Sequence, residues 1–260
     1  MRQFIVSIIL AAALLGGGAA SAETIRVGVT PGPHAQIMEN IAERAASQGL
    51  TIKVMEFSNY VLPNAALAQG DLDANSFQHQ PYLDNQIKDR GYPLVSVAKT
   101  VIFPMGLYSK KVKSLSEVSD GATIGIPNDP TNGGRALLLL QKVGLLKLSA
   151  TAGLKASVAD IAENSRKLKI VELDAAQLPR SLDDTTLSAV NTNYAMEAGL
   201  SPVRDALARE DSNSPYANVI AVRAQDKDKP WVATLVKLYQ SAETKAFIEK
   251  TFGASVDPAF

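Results

Sequence analysis

From residue 25 to residue 252 the chain alternates short Val- and Ile-rich runs with amphipathic stretches of helical period, and this alternation restricts it to an α/β fold. Ile25–Val29 reads as a strand, Ala35–Ser47 as a helix with Ile37, Met38, Ile41 and Ala45 on one side, and Ile52–Phe57 as the next strand. Pro63–Gln69 and Pro81–Arg90 read as helices closed by Gly70 and Gly91, with strands at Ala74–Phe77 and Leu94–Val97. Strands at Thr123–Ile126, Leu168–Leu173, Leu187–Val190 and Asn218–Arg223 follow, with helices at Asn132–Val143 and Thr192–Ala198 and two more between Lys229 and Phe252. Such alternation leads us to expect parallel sheets covered by helices on both faces. The length suits two lobes of roughly 100 to 120 residues, and no low-complexity linker or fixed-period repeat interrupts it.

Arg2, an apolar run from Phe4 to Leu15 and the small-x-small triplet Ala20-Ser21-Ala22 have the form of a signal peptide, residues 1–22, cleaved near Ala22/Glu23. The run is shorter than the roughly 20 residues that span a bilayer, so an exported protein is expected over an anchored one. The chain has no cysteine, which removes disulfides and a lipid-modified N-terminal Cys. Its 26 basic and 26 acidic residues balance, so no basic surface marks nucleic acid as a partner.

In open α/β sheets ligands sit beyond the carboxyl ends of the strands, which directs attention to the loops that follow them. Ile126–Leu137 joins a strand to a helix whose first turn carries Arg135. Free N–H groups at a helix start and a two-pronged guanidinium together suit an anion such as a carboxylate. Asp129 or Thr131 would cap that helix, and Gly133 and Gly134 would let a ligand approach the backbone. Taken alone, the same residues also fit an ordinary strand-to-helix loop with a surface Arg. Polar and aromatic residues follow other strands at Ser58-Asn59-Tyr60, Phe77–Tyr82 and Asn191–Tyr194.

Catalysis finds little support. The chain lacks a Gly-x-Ser-x-Gly elbow, a phosphate loop and a His-Glu-x-x-His pair, and its only histidines are His34 and His79, too few for a multi-histidine metal site. Neither a catalytic residue, a metal nor a cofactor is expected. Asp183-Asp184 is expected to be solvated or capping, because adjacent side chains point in different directions.

Four runs carry a more specific signal: FSNYVLPN at 57–64, DANSFQHQPYL at 73–83, PNDPTN at 127–132 and QLPRSLDD at 177–184. They resemble the NlpA/MetQ family of methionine-binding proteins that serve ABC importers, in the same order and through nearly all of the chain beyond residue 22. The resemblance implies a two-lobed, type II-like periplasmic binding protein, each lobe a sheet flanked by helices, with the ligand in the interlobe cleft. It implies a first lobe from residues 23–103 completed by 218–260, with a second lobe at 104–217. It places a ligand carboxylate on Asn132 and Arg135, an aromatic wall at Tyr60, Phe77 and Tyr82 with His79, and polar-head contacts at Asn191 and Asn218. Core packing would also account for Phe77 and Tyr82, a turn for Tyr60, and capping or strand-edge bonding for Asn191 and Asn218.

The implied function is capture of methionine, L or D, in the periplasm and its delivery to a membrane permease with its paired ATPase, by a monomer. Another amino acid or a short methionine-containing peptide is the nearest alternative ligand. A periplasmic enzyme and a surface adhesion protein are more distant classes. Two departures from the family pattern stand out. Gly16-Gly17-Gly18-Ala19 occupies the place of a lipobox cysteine, so no lipid anchor is expected, and Gly133 replaces a larger residue, which would loosen the helix start or widen the cleft.

Overall fold

The computed structural model describes residues 23–260, so the expected signal peptide lies outside the described residues. The first half runs β1 (Glu23–Val29), α1 (Pro33–Ala45), β2 (Leu50–Glu56), α2 (Leu62–Gln69), β3 (Ala74–His79), α3 (Gln80–Arg90) and β4 (Leu94–Ile102). A second group follows with β5 (Gly106–Tyr108), β6 (Thr123–Pro127), α4 (Pro130–Lys142), β7 (Lys147–Leu148), β8 (Ile161–Glu163) and β9 (Lys169–Leu173). It continues through α5 (Leu178–Ser181), β10 (Leu187–Val190), α6 (Thr192–Glu197) and β11 (Ala208–Arg209). The chain ends with β12 (Ala217–Arg223), α7 (Pro230–Tyr239), α8 (Ala242–Phe252) and β13 (Asp257–Pro258).

These elements form two lobes. One is built on a six-stranded sheet of order β13-β4-β12-β3-β1-β2, the other on a five-stranded sheet of order β11-β5-β10-β6-β9, and β7 pairs with β8 as a separate ribbon. The polypeptide leaves the first sheet after β4 and returns to it at β12. In the first lobe α1, α7 and α8 cover one face through Ile37, Ile41, Trp231, Leu235 and Ile248, while Leu67, Leu72 and Leu83 pack on the other. In the second, Leu137 and Leu140 of α4 pack on Ile124 and Ile126, and Leu178, Leu182 and Tyr194 form a second cluster. Burial of these apolar faces, worth about 25 cal/mol per Å², is what holds helix to sheet.

The expectation of parallel sheets is corrected. β1, β2 and β3 are parallel and run toward the other lobe, but β12 is antiparallel to both β3 and β4, β13 is antiparallel to β4, and β5 is antiparallel to β10 and β11. The cause is the crossing. A chain that returns from the opposite lobe enters the sheet at its cleft end and has to run away from the cleft. β4 extends to Ile102 rather than ending at Val97, and the short strands β5, β7, β8, β11 and β13 went unanticipated, because two or three residues show no period.

Candidate functional site

The carboxyl ends of β1, β2 and β3 face those of β6 and β10 across the cleft, so the loops that follow them meet. His79, the last residue of β3, does two jobs there. Its Nδ1 caps α3 by accepting the Tyr82 main-chain N–H at 3.1 Å, which leaves the proton on Nε2 to donate to Asn132 Oδ1 of the opposite lobe at 3.1 Å. Tyr60 crosses in the same way. Its hydroxyl donates to Asn193 Oδ1 at 2.6 Å and its ring lies 4.9 Å from that of Tyr194, whose hydroxyl reaches Ser58 O at 3.3 Å. Lys155 of the second lobe donates to Asn85 Oδ1 of the first.

The lobes close over a small cavity lined from both sides. All eight residues singled out from the sequence line it: Tyr60, Phe77, His79 and Tyr82 from the first lobe's opening half, Asn132, Arg135 and Asn191 from the second, and Asn218 from β12. The aromatic side is a cluster of edge-on and tilted ring contacts. Tyr60 lies 6.0 Å from Phe77 and 6.1 Å from Tyr82, with Phe77 and Tyr82 also 6.1 Å apart, and Tyr82 Oη donates to Tyr60 O at 3.0 Å.

The polar side is built on α4. Asp129 is the N-cap, accepting from Thr131 N at 3.1 Å and Asn132 N at 2.9 Å, so of the two capping candidates Thr131 is the one not used. Asn132 is held on several sides. Its Nδ2 donates to Asp129 Oδ2 at 2.8 Å, and its Oδ1 accepts from His79 and, at 2.9 Å, from Asn191 Nδ2. Asn191, which lines the cavity, is then left with its Oδ1 buried and without a donor. Asn218 lies at the cavity with a single long bond of 3.4 Å to Tyr216 O.

Arg135 is 3 % exposed and pairs with a residue that no sequence motif signalled, Glu210. Nε donates to Glu210 Oε1 at 2.8 Å and Nη2 to Oε2 at 2.6 Å, while Nη2 also donates to Phe103 O at 2.6 Å. The guanidinium carbon stands 4.3 Å from the Tyr216 ring centroid. Nη1 makes no hydrogen bond among the described residues, so one edge of the fork is free for a ligand.

The glycine expectation is overturned. A Cβ at Gly133 would stand 2.8 Å from Pro127 O, and one at Gly134 would stand 2.5 Å from Leu154 O and 2.8 Å from Ala156 N. Both glycines let the chain pack against itself. Gly133 therefore neither loosens the helix start nor widens the cleft. Asp183 pairs with Lys110 at 2.7 Å on the surface, and Lys111 caps the Asp184 carbonyl, as solvated residues do.

Five lining residues were not singled out: His34, Gln78, Phe103, Thr192 and Asn193. Gln78 and Asn193 sit inside runs already notable for their polarity, and Gln78 anchors a buried amide network with Asn64 at 2.7 Å and Asn75 at 3.0 Å that ties α2 to β3. Glu210 carried no signal because its partner is 75 positions away in the chain.

Burial lowers the pKa of His34 to about 3, and burial followed by the nearby Arg135 charge lowers that of His79 to about 3, so both rings are neutral at physiological pH. The sign of the resulting pH dependence follows. An unfolded histidine binds a proton near pH 6.5 that the folded one refuses, so stability is complete above that pH and falls as pH drops toward 3. Chemical denaturation is expected to show a flat stability between pH 7 and 8. Below pH 6.5 it should fall by about 1.4 kcal/mol per pH unit for each histidine. A stability that rises on acidification from pH 6.5 to 5 would contradict the buried, neutral assignment.

Comparison with known proteins agrees with this architecture. The family model described as NlpA lipoprotein matches residues 25–260. A protein of Salmonella typhimurium named D-methionine-binding lipoprotein MetQ is 53 % identical over 232 residues, covering 88 % of this chain and 85 % of that one. The structure of a nutrient binding protein from Burkholderia cenocepacia bound to methionine superposes with a TM-score of 0.89 at 57 % identity, covering 91 % of this chain and all, 100 %, of that one. An ABC transporter periplasmic substrate-binding protein from Coxiella burnetii gives a TM-score of 0.87 at 52 % identity, covering 90 % and 100 %. The two lobes and their cleft are thus the periplasmic substrate-binding fold, and the chain belongs to the NlpA lipoprotein family.

Proposed function

We propose that the protein is the substrate-binding component of an ABC importer, capturing methionine between its lobes and presenting it to a membrane permease driven by a paired ATPase. The observation that carries this reading is a cavity where the lobes meet, apolar and aromatic on one side and lined on the other by a partly free guanidinium and an unpaired amide oxygen. The free Nη1 of Arg135 takes the carboxylate, with Asn132 beside it. Asn191 Oδ1, with Asn218, takes the ammonium. The thioether packs on Tyr60, Phe77 and Tyr82, where sulfur–aromatic contacts contribute roughly 0.3–1.5 kcal/mol each.

Closure follows from the same contacts. Because the ligand touches both lobes, the closed state gains contacts that the open state lacks, and binding shifts the population toward it. The lobes are residues 23–103 with 218–260, and 104–217, with hinges where the chain crosses between them. Among the described residues no Asp or Glu lines the cavity, which supports binding rather than turnover. The relatives named as lipoproteins imply residence at the membrane, whereas none of these 260 residues is a cysteine able to carry a thioether-linked lipid. In this reading the protein acts in the periplasm. Mass spectrometry of the small molecule released when the natively purified protein is denatured tests the assignment. Methionine is expected, and a different stoichiometric amino acid would move the assignment to that ligand.

A further inference from the structure

We infer that Glu210 sets the charge class of the ligand: by cancelling Arg135 in the cavity wall it makes the site prefer a zwitterion over a carboxylate that lacks an ammonium group. This rests on the reading that Arg135 meets the ligand carboxylate.

Glu210 is fixed where it can do this. Its side chain is 11 % exposed and grips Arg135 Nε and Nη2. Its main-chain N–H donates to Met105 O at 2.9 Å, and its Oε2 accepts the Met105 N–H at 2.9 Å. Met105 follows β4 and Glu210 follows β11, so the two segments that join the lobes hold the carboxylate between them. It cannot swing out to solvent without breaking its bonds to Met105 N–H and Arg135.

The charge balance around the ligand follows from this pair. Arg135 is the one ionised side chain lining the cavity among the described residues, since His34 and His79 are neutral there and no Asp or Glu reaches the lining. Asp129 stands outside the lining with its oxygens taken by Thr131 and Asn132, at a helix start whose dipole offsets its charge. The wall therefore presents a neutral pair with one free N–H edge. A net anion that enters loses its hydration and meets no net positive charge, which is costly in a buried site. A zwitterion carries its own compensation, and its ammonium meets Asn191 Oδ1, which has no donor of its own.

The test compares three probes on the refolded protein by calorimetry: methionine, 4-(methylthio)butanoate, which keeps the carboxylate and thioether but has no ammonium, and methioninol, which has no carboxylate. Wild type is expected to prefer methionine over 4-(methylthio)butanoate by about 100-fold. Glu210→Gln should narrow that preference by at least about tenfold, and Glu210→Asp, which keeps the charge, should retain it. A merely structural role would weaken both carboxylate ligands together and leave their ratio alone, so an unchanged ratio in Glu210→Gln overturns the inference. Glu210→Ala, read in the same way, is the second neutral variant should Glu210→Gln not regain native circular dichroism. Wild type that binds methioninol as tightly as methionine would contradict the Arg135 reading itself, a separate outcome.

Discussion

Replacing Arg135 by Ala is expected to abolish measurable capture of methionine at micromolar concentration. Nη1 is the one free edge of a guanidinium that is otherwise committed to Glu210 and Phe103, so truncation removes the one positive charge that lines the cavity among the described residues and leaves Glu210 buried with only the Met105 N–H as a partner. Removing one member of a buried, hydrogen-bonded charge pair costs on the order of 2–5 kcal/mol in binding, a loss of roughly 30-fold to several thousand-fold. The same stranded carboxylate should lower stability by about 3–5 kcal/mol, so calorimetry has to be paired with a denaturation curve. Arg135→Lys separates the two effects. It keeps a charge but loses the fork, and should recover stability more fully than affinity, since an ammonium cannot bridge Glu210, Phe103 and a ligand in the guanidinium's geometry. Normal methionine binding by a folded Arg135→Ala protein would show that the carboxylate sits elsewhere.

Phe77→Ala is expected to act on the other half of the ligand. The ring is 3 % exposed, tilted against Tyr60 and edge-on to Tyr82, so its loss opens space on the aromatic side of the cavity and costs about 3–5 kcal/mol of stability as a large-to-small core change. Affinity for methionine should fall about tenfold, the worth of one or two lost sulfur–aromatic contacts. The preference for a free carboxylate should survive, because Arg135 and Glu210 are untouched. Bulkier apolar amino acids should gain relative to methionine in the enlarged site. A panel of amino acids titrated into the variant reads this directly, and an unchanged rank order of ligands would place the side chain away from Phe77.

The alternation of strand and helix made the α/β class and most elements legible, because helices such as α1 and α4 bury one clear stripe and β1, β6 and β10 are short apolar runs. What local pattern could not carry was direction. Nothing in Ala217–Arg223 distinguishes a strand that enters its sheet from the far lobe, yet that history makes β12 antiparallel. The site was legible to the same degree. The eight residues named from the motif runs share one cavity because each run follows a strand on the cleft side. Glu210 was not legible, since its importance comes from a contact across 75 positions, and Gly133 and Gly134 were misread because a glycine needed for close chain packing looks the same in sequence as one cleared for a ligand.

The central claim is most directly tested by isothermal calorimetry on protein that has been unfolded, freed of any carried ligand and refolded, titrated with L-methionine, D-methionine and other amino acids. Saturable binding of one methionine per chain, micromolar or tighter and well ahead of the other amino acids, is the expected result. A folded protein that gives no heat with either isomer, or that binds another amino acid more tightly, would contradict it.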